Sequence, residues 1–437
     1  MQSAKVWGCL VVFTIAAVGL AQQPVVAPPA LLPPSIMKPV PEAIVPASAN
    51  IPKKAEFPAD RFSNRAEEFP AETLHAVYST RVAADWLCRM NQASGLFMAG
   101  VNPALARPLA DDSELKQAYA VLALSRVARF TGDAKLAMCA SQGILALLTY
   151  APEDPQDKTQ RVPKMASERC NRVGFAALLA IAIWELPTSD AKLHAEADRL
   201  CNFLKKQCRA DGSVHYIDAA DGVPTKIDPD GVNTFPALCY QALLLSDRAK
   251  PDQAIRDTVL KGLAYYQAWH KSNPHPMLAA NLLPVLSDML QRGKSDALST
   301  FSFELAESLC NRQYVIEDAR EKRWVGGIRL GAANTEPTAT TATCAEGLAA
   351  AASIAVQNAD ITRLAKYRKA TMNALVFCRS LQCTDENCAH FERSFRASFL
   401  LGGVSESPSA GNLWIDTASK HIFAHLRFLA SGAERGN

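Results

Sequence analysis

Two carboxylates lie near each other in a glycine- and threonine-rich segment, residues 324–347 (WVGGIRLGAANTEPTATTATCAEG). Glu336 precedes a proline, and Glu346 lies in a helix that the apolar pattern predicts over 343–357. Two such carboxylates can act as general acid and general base on a glycosidic bond. For Glu346 the alternative is a helix cap, because Thr343 and Glu346 match the S/T-x-x-E capping box. For Glu336 the alternative is a solvated loop side chain.

The same segment contains residues suited to binding rather than proton transfer. Arg329 follows a flexible Gly-Gly pair, and a guanidinium can hold an anion or a carboxylate through paired hydrogen bonds. We therefore predict that Arg329 and Trp324 bind substrate. Glu168 and Arg172 enter another predicted helix at a position like that of Glu346, which predicts a shared ring of polar groups. The alternative role for Glu168 is that of an acid that complements the dipole of that helix.

A second candidate for chemistry is the start of the last predicted helix, residues 413–421 (LWIDTASKH). Asp416 and His421 lie on neighbouring faces and are candidates for proton transfer. Trp414 is predicted to offer a stacking surface to a sugar. The alternatives are an acid that complements the helix dipole and a histidine buried in the core. The preceding Gly/Ser-rich loop, 402–412, is expected to form part of the same site.

The sequence lacks the motifs of several other chemistries. It has no G-x-S-x-G, no Walker A motif and no G-x-G-x-x-G, so neither an acyl hydrolase nor a nucleotide cofactor is expected. The spacing of Cys383, Cys388 and His390 does not match a zinc site, and we expect no metal. Most of the 12 cysteines are interpreted as small buried hydrophobic residues. Local disulfides between Cys201 and Cys208, or within 378–388, are possible in an oxidising compartment.

The amino-terminal residues predict export. Residues 1–21 combine a positive charge, an apolar run and a small-residue cleavage site, which is typical of a signal peptide; retention as an anchor is the alternative. Residues 22–60 are dense in proline and predict a disordered, semi-rigid linker. We therefore expect a periplasmic or extracellular protein, with a disordered tail at 433–437.

Composition limits the partners of the remaining chain. A net charge of +3 with interspersed signs provides no basic stripe, so nucleic acid is not expected. No run after residue 21 is apolar for long enough to span a bilayer. The expected partner is a polysaccharide or another ligand of the cell envelope. The oligomeric state is left open.

From residue 61 to 432 the apolar residues recur at helical spacing, with breaks rich in Gly, Pro and Asp. One type of helix ends in apolar residues, then Gln, then a polar turn; the Gln copies are Gln92, Gln207, Gln267, Gln313 and Gln382. Between them lie more apolar, Ala-rich helices, predicted to form an inner ring at 117–128, 174–184, 235–245, 278–290, 343–356 and 417–429. Short strands are expected only around 213–217 and 324–330. Six such hairpins predict an all-α domain, a closed (α/α)6 toroid, with an open α-solenoid as the alternative.

Three segments carry a resemblance to a known superfamily. Residues 86–97 (WLCRMNQASGLF) and 203–213 (FLKKQCRADGS) resemble repeated elements of the α/α toroids, and 119–133 (YAVLALSRVARFTGD) looks like a helix end common in their glycan-active members. That superfamily includes terpenoid cyclases, six-hairpin glycosidases and sugar epimerases. The resemblance implies a toroid and a polysaccharide hydrolase, lyase or epimerase. The cyclase branch fits poorly because no Asp-x-Asp-Asp motif occurs. A non-catalytic envelope-binding protein and a lipid- or terpenoid-binding toroid are the alternatives.

Overall fold

The computed structural model describes residues 57–164, 171–216, 231–388 and 397–432. Within these ranges the chain is mostly helical, with little strand. The helices are α1 (Pro58–Asn64), α2 (Ala71–Met90), α3 (Glu114–Thr131), α4 (Ala134–Leu148), α5 (Arg172–Glu185), α6 (Ala191–Gln207), α7 (Phe235–Ala249), α8 (Gln253–Ser272), α9 (Pro276–Arg292), α10 (Asp296–Cys310), α11 (Thr341–Gln357), α12 (Ile361–Ser380), α13 (Asp385–Cys388), α14 (Ala397–Leu400) and α15 (Ile415–Ala430). None of these described helices is both long and apolar enough to cross a membrane.

The long helices form two concentric rings. In the described chain the inner ring consists of α3, α5, α7, α9, α11 and α15, and each of these packs against the next. The outer helices are α2, α4, α6, α8, α10 and α12. The ring closes because α15 packs against α3, which excludes the open solenoid. All six predicted inner helices are confirmed.

Burial explains which helices lie inside. In α5 every residue from Val173 to Ile183 is buried, as expected for a helix enclosed by neighbours on all sides. The outer helix α6 buries one face and exposes its lysines. Many helices begin at a side-chain cap that accepts a hydrogen bond from a free backbone amide; these caps are Ser113, Asp133, Asn171, Asp190, Asp252, Ser295 and Asp360.

The repeated Gln residues join neighbouring hairpins. Gln313 donates from its amide to the carbonyl of Ala370 on α12, and Gln382 donates to that of Ser79 on α2. In four of the connections from an outer helix to the next inner helix, a glycine has positive φ: Gly95, Gly212, Gly326 and Gly402. A Cβ on Gly402 would collide with the carbonyl oxygen of Val82 on α2. The last loop therefore packs directly on the first outer helix and completes the ring.

A small antiparallel sheet was not expected from the sequence. Strand β1 (Gly100–Asn102) pairs with β2 (Arg107–Pro108) and with β3 (Leu413–Trp414), in the order β2-β1-β3. Around the two expected strand positions, the described residues form only single bridges, Cys208 with Val214 and Gln313 with Ile328. The sheet ties the loop before α3 to the loop before α15.

Several boundaries differ from those predicted. Helix α1 begins at Pro58, inside the predicted linker, and α4 fills the position where no Gln copy was recognised. Helix α8 continues past Gln267 to Ser272, and a three-residue connection then leads into α9. The predictions for 1–21, for most of 22–60 and for 433–437 lie outside the described residues.

Candidate functional site

The ring has two different mouths. Because each inner helix follows an antiparallel outer helix, the inner helices all point the same way. Their amino ends surround one mouth, here called the amino mouth, and their carboxyl ends surround the other, the carboxyl mouth. Amino ends present free backbone N–H groups and positive dipole ends, so they are suited to polar ligands.

At the amino mouth the structure brings together the two segments that the sequence singled out. The backbone amide of Ala339 donates to the carbonyl of Glu406 (2.7 Å). The hydroxyl groups of Ser407, at 3.1 Å, and of Ser409 donate to the carboxylate of Glu336. Glu336 therefore lies against the loop that leads into α15, although the two loops are about 70 residues apart in sequence.

Asp416 lies in the first turn of α15 and forms an ion pair with Lys420 one turn later (2.9 Å). Burial by itself would raise the pKa of Asp416, but Lys420 and then Lys116 on α3 outweigh it and lower that pKa. Burial likewise opposes the charge of Lys420, whose pKa is nonetheless raised, chiefly by Asp416. Asp416 is therefore ionised at neutral pH. The phenol of Tyr119 lies beside this pair, and burial raises its pKa, so it stays protonated.

Trp414 is positioned by the sheet. It pairs with Gly100 in β1, and the amide of the next residue, Ile415, donates to the carbonyl of Ala99 (3.1 Å). The ammonium group of Lys116 lies 3.8 Å from the centre of the Trp414 ring. One face of the indole is thus occupied by a cation, within one turn of Asp416.

His421 is placed in the packed interior between α15 and α2, with about 1% of its surface exposed. Its Nε2 lies 2.7 Å from the hydroxyl of Ser79, which itself donates to Gln382. Burial and the adjacent His425 depress the pKa of His421 far below its usual value. The structure does not bring His421 to Asp416 and Glu336 at the amino mouth.

Arg329 and Trp324 brace the loop between α10 and α11. Arg329 donates to the carbonyl of Asn311 (3.0 Å), lies 3.5 Å from the carboxylate of Asp318 and covers the ring of Tyr314. Trp324 is buried against the same Tyr314 ring. These contacts stabilise the loop, and they do not place either side chain beside Asp416.

Glu346 faces the centre of the ring from the second turn of α11. It does not act as a cap, because α11 already begins at Thr341. Its carboxylate lies 3.2 Å from a guanidinium nitrogen of Arg126 on α3. It lines a cavity of about 630 Å³ that opens at the carboxyl mouth.

The remaining predicted residues are only partly described. Arg172 is the first residue of α5 and is partly exposed beside Asn171. Glu168 and His390 lie outside the described residues. Within the described ranges no group of three possible metal ligands occurs.

Comparison with known proteins reveals similarity at the level of structure. No family model matches the sequence, and no curated protein is similar to it in sequence. A D-mannose isomerase superimposes with a TM-score of 0.60 and 11% identity, over 82% of this chain and 99% of the isomerase. A cellobiose 2-epimerase from Bacillus thermoamylovorans B4167 gives 0.58 and 10%, over 85% and 98%. An unsaturated glucuronyl hydrolase from Bacillus sp. GL1 gives 0.56 and 14%, over 82% and 99%.

This chain is an α/α toroid. The resemblance drawn from short motifs is thereby confirmed at the level of the fold. At these identities the likeness extends to architecture only, so the chemistry of the toroid must be argued from its own side chains.

Sequence reasoning missed part of the toroid's amino mouth. Lys420 had a signal, since its i, i+4 spacing from Asp416 predicts an ion pair on a helix. Lys116 and Tyr119 lie on α3, at the same level of the ring as the start of α15, but nothing in the sequence relates the two helices. Glu406 influences Lys420 from the loop before α15 and carried no signal of its own.

Proposed function

We propose that this toroid is a carbohydrate-active enzyme, a polysaccharide hydrolase, lyase or epimerase, with its site at the amino mouth around Asp416. The observation that carries the proposal is the meeting of two distant loops, which places Glu336 against the segment that contains Glu406 and leads into Asp416. The solved toroids to which the chain is similar are named for acting on sugars, which supports the same class of substrate.

Asp416 is best suited to the role that needs an ionised carboxylate. It would act as general base or nucleophile, or stabilise a cationic transition state, because its lowered pKa keeps it charged. Glu336, held by two serine hydroxyls, and Glu346, paired with Arg126, are the candidates for the acid. Trp414 is the proposed sugar-binding surface. We propose no role in the reaction for His421, Arg329 and Trp324. The His421 side chain contacts Ser79, and those of Arg329 and Trp324 contact residues of their own loop.

Asp416→Asn tests this proposal. We expect the wild-type protein to act on at least one member of a panel of neutral and acidic polysaccharides. Activity is measured as new reducing ends, unsaturated products or epimerised sugars. Asp416→Asn should then reduce turnover by about a hundredfold or more, since it removes the charge but keeps the shape. Glu307→Gln is the matched control, because Glu307 pairs with Lys366 on the outer helices. Both variants must unfold cooperatively at a melting temperature close to that of the wild type, which shows that they are folded. Turnover that survives in Asp416→Asn removes Asp416 from the site.

A non-catalytic binding protein is the second candidate. It is favoured by the ion pairs of Asp416 with Lys420 and of Glu346 with Arg126, because in each pair the cation compensates the charge of the carboxylate. Saturable binding of a polysaccharide without any product, unchanged in Asp416→Asn, would favour this alternative.

We further propose that the protein is exported and that its toroid is tethered by residues 22–60. The support is the sequence pattern of residues 1–21 and the proline density that follows it. Amino-terminal sequencing of the mature protein is expected to begin at Gln22; a protein that retains Met1 contradicts cleavage.

A further inference from the structure

The cavity at the carboxyl mouth is large and lined by many charged side chains, and of the residues proposed for the reaction only Glu346 reaches it. Its volume of about 630 Å³ lies within the range of small-ligand sites. Its lining, here called the carboxyl funnel, consists of Pro58, Arg61, Arg126, Arg129, Phe130, Glu185, Gln241, Leu245, Arg248, Asp288, Gln291, Glu346, Ser353, Phe423, Leu426, Arg427, Leu429 and Ala430. Asp416, Lys420 and Glu336 are not among these residues. The rings of Phe423, in the funnel, and Tyr119, at the amino mouth, lie 6.2 Å apart between the two regions.

The charge of the carboxyl funnel is unbalanced. Among its lining residues, five arginines face three carboxylates, which leaves two positive charges in excess. Part of this excess has a structural role, since cations near helix carboxyl ends offset the helix dipoles. Arg61 donates to the carbonyl of Leu429 at the end of α15, and Arg129 pairs with Glu185 at the end of α5 (3.0 Å).

The pair Arg248 and Arg427 is different. Asp288 on α9 lies between them, with nitrogen–oxygen distances of 4.0 Å and 3.9 Å. These distances are too long for hydrogen bonds, so the single carboxylate attracts both guanidinium groups without using their donors. Among the described residues neither arginine has another ion pair. The guanidinium groups of both arginines are therefore available to donate paired hydrogen bonds to a ligand at the rim of the cavity.

The inner wall offers groups suited to a sugar ring. The largely buried side-chain amide of Gln241 lines the cavity and makes no hydrogen bond to the described residues. Phe423 contributes an aromatic surface, with the guanidinium of Arg126 4.5 Å from its ring centre. An unpaired amide and an aromatic ring fit hydroxyl groups and the apolar face of a sugar better than they fit a bare inorganic ion.

We propose that the carboxyl funnel binds an anionic saccharide, one that bears a carboxylate or a sulfate ester, at a site distinct from the amino mouth. Arg248 and Arg427 hold the acidic group through paired hydrogen bonds. Gln241 and Phe423 contact the sugar ring. Asp288 keeps the two arginines in place when the site is empty and repels the ligand's charge, so it weakens binding.

The experiment is calorimetric titration of the full chain with four probes: a glucuronate-containing disaccharide, a sulfated disaccharide, neutral cellobiose and inorganic sulfate. We expect one or both acidic disaccharides to bind, cellobiose not to bind detectably, and sulfate to bind more weakly. Arg427→Gln and Arg248→Gln should each weaken binding about tenfold or more, the loss expected for a charged hydrogen-bonding group. Asp288→Asn should change affinity in the opposite direction and tighten it severalfold.

Controls separate this site from the proposed reaction and from general charge effects. Arg363→Gln removes an arginine on the outer helix α12, and Asp416→Asn alters the amino mouth; neither should change the affinity. Arg427→Lys keeps the charge, and so guards against loss of fold, yet it should still weaken binding. The inference is overturned if no acidic disaccharide binds, if sulfate binds as tightly as the saccharides, or if the Arg248 and Arg427 variants bind like the wild type.

Discussion

A side chain that stays charged inside the ring needs a partner of opposite charge, which offsets the free-energy cost of its burial. Removing one member of a buried ion pair is strongly destabilising, because it leaves an uncompensated charge. Asp416 and Lys420 meet this requirement with each other, and Glu346 and Arg126 meet it across the ring. Asp416 and Lys420 lie on one helix that the sequence predicts, whereas the pairing of Glu346 with Arg126 depends on the tertiary structure.

The buried histidines predict a loss of stability in acid. His421 and His425 stack with ring centres 4.2 Å apart, and burial lowers the pKa of His425 from 6.5 to about 4. Both histidines stay neutral in the folded protein, whereas below about pH 6.5 they gain protons on unfolding. Their contribution to the free energy of unfolding is therefore complete above that pH and declines as the pH falls toward 4. His425 alone should reduce the free energy of unfolding by about 2 kcal/mol between pH 7 and pH 5.

Urea titrations across this pH range measure the effect. His425→Leu should make the free energy of unfolding less dependent on pH, since an apolar side chain has no proton to gain. His75→Gln is the matched control at an exposed position and should retain the wild-type dependence. An equally steep loss of stability in His425→Leu would contradict the role assigned to this pair.

At the scale of elements, periodicity predicted the helices well and the strands poorly. The inner helices were found because burial on all sides produces long apolar runs, as in α5. The strands were missed because β1, β2 and β3 have only two or three residues each, too few to show alternation. The partners of β1 include a strand more than 300 residues away, which no local pattern reports.

The thiols at the junction of α6 and α7 give an element-scale prediction. The sulfur atoms of Cys208 and Cys239 lie 4.0 Å apart, and their hydrogen bond lowers the pKa of Cys208. Cys201 instead contacts the carbonyl of Ala242, and two residues seven positions apart on a helix are separated by roughly 10 Å, too far for a disulfide. A Cys201–Cys208 disulfide, one of those that the sequence allowed, is therefore incompatible with this structure.

Oxidation with diamide is expected to link Cys208 to Cys239, with loss of two protons and two electrons to the reagent. Peptide mapping without reduction should identify the linked fragments. In Cys239→Ser we expect Cys208 to remain free, while Cys201→Ser should leave the link intact. A Cys201–Cys208 fragment would contradict the packing of α6 on α7.

The whole molecule depends on closing the ring between its first and last hairpins. Gln382 and the loop at Gly402 contact α2, and β3 pairs with β1 in the loop that follows α2. In an open solenoid these groups would face solvent. The closed ring buries them.

Gly402→Ala is predicted to weaken this closure. The backbone of Gly402 has φ of +91°, and a Cβ would collide with the Val82 carbonyl. A left-handed conformation costs a non-glycine residue about 1–2 kcal/mol, and the collision adds to it. The free energy of unfolding should therefore fall by about 2 kcal/mol or more in denaturant titrations.

Gly411→Ala is the matched control in the same loop. Nothing lies within 4 Å of a Cβ at Gly411, and its φ is not positive, so the change should be nearly neutral. Equal stability of the two variants would show that the contact of Gly402 with α2 does not support the ring.

The sequence alone determined the helical class, the alternation of inner and outer helices and the two segments that contain Glu336 and Asp416. These features are local, because helix periodicity, caps and glycine turns act over a few residues. Only the tertiary structure decided that those segments meet, that His421 faces the core, and that Glu346 faces an arginine-lined cavity. Such contacts arise when the ring closes and brings together residues that are about 70 to more than 300 positions apart, and no spacing along the chain encodes them.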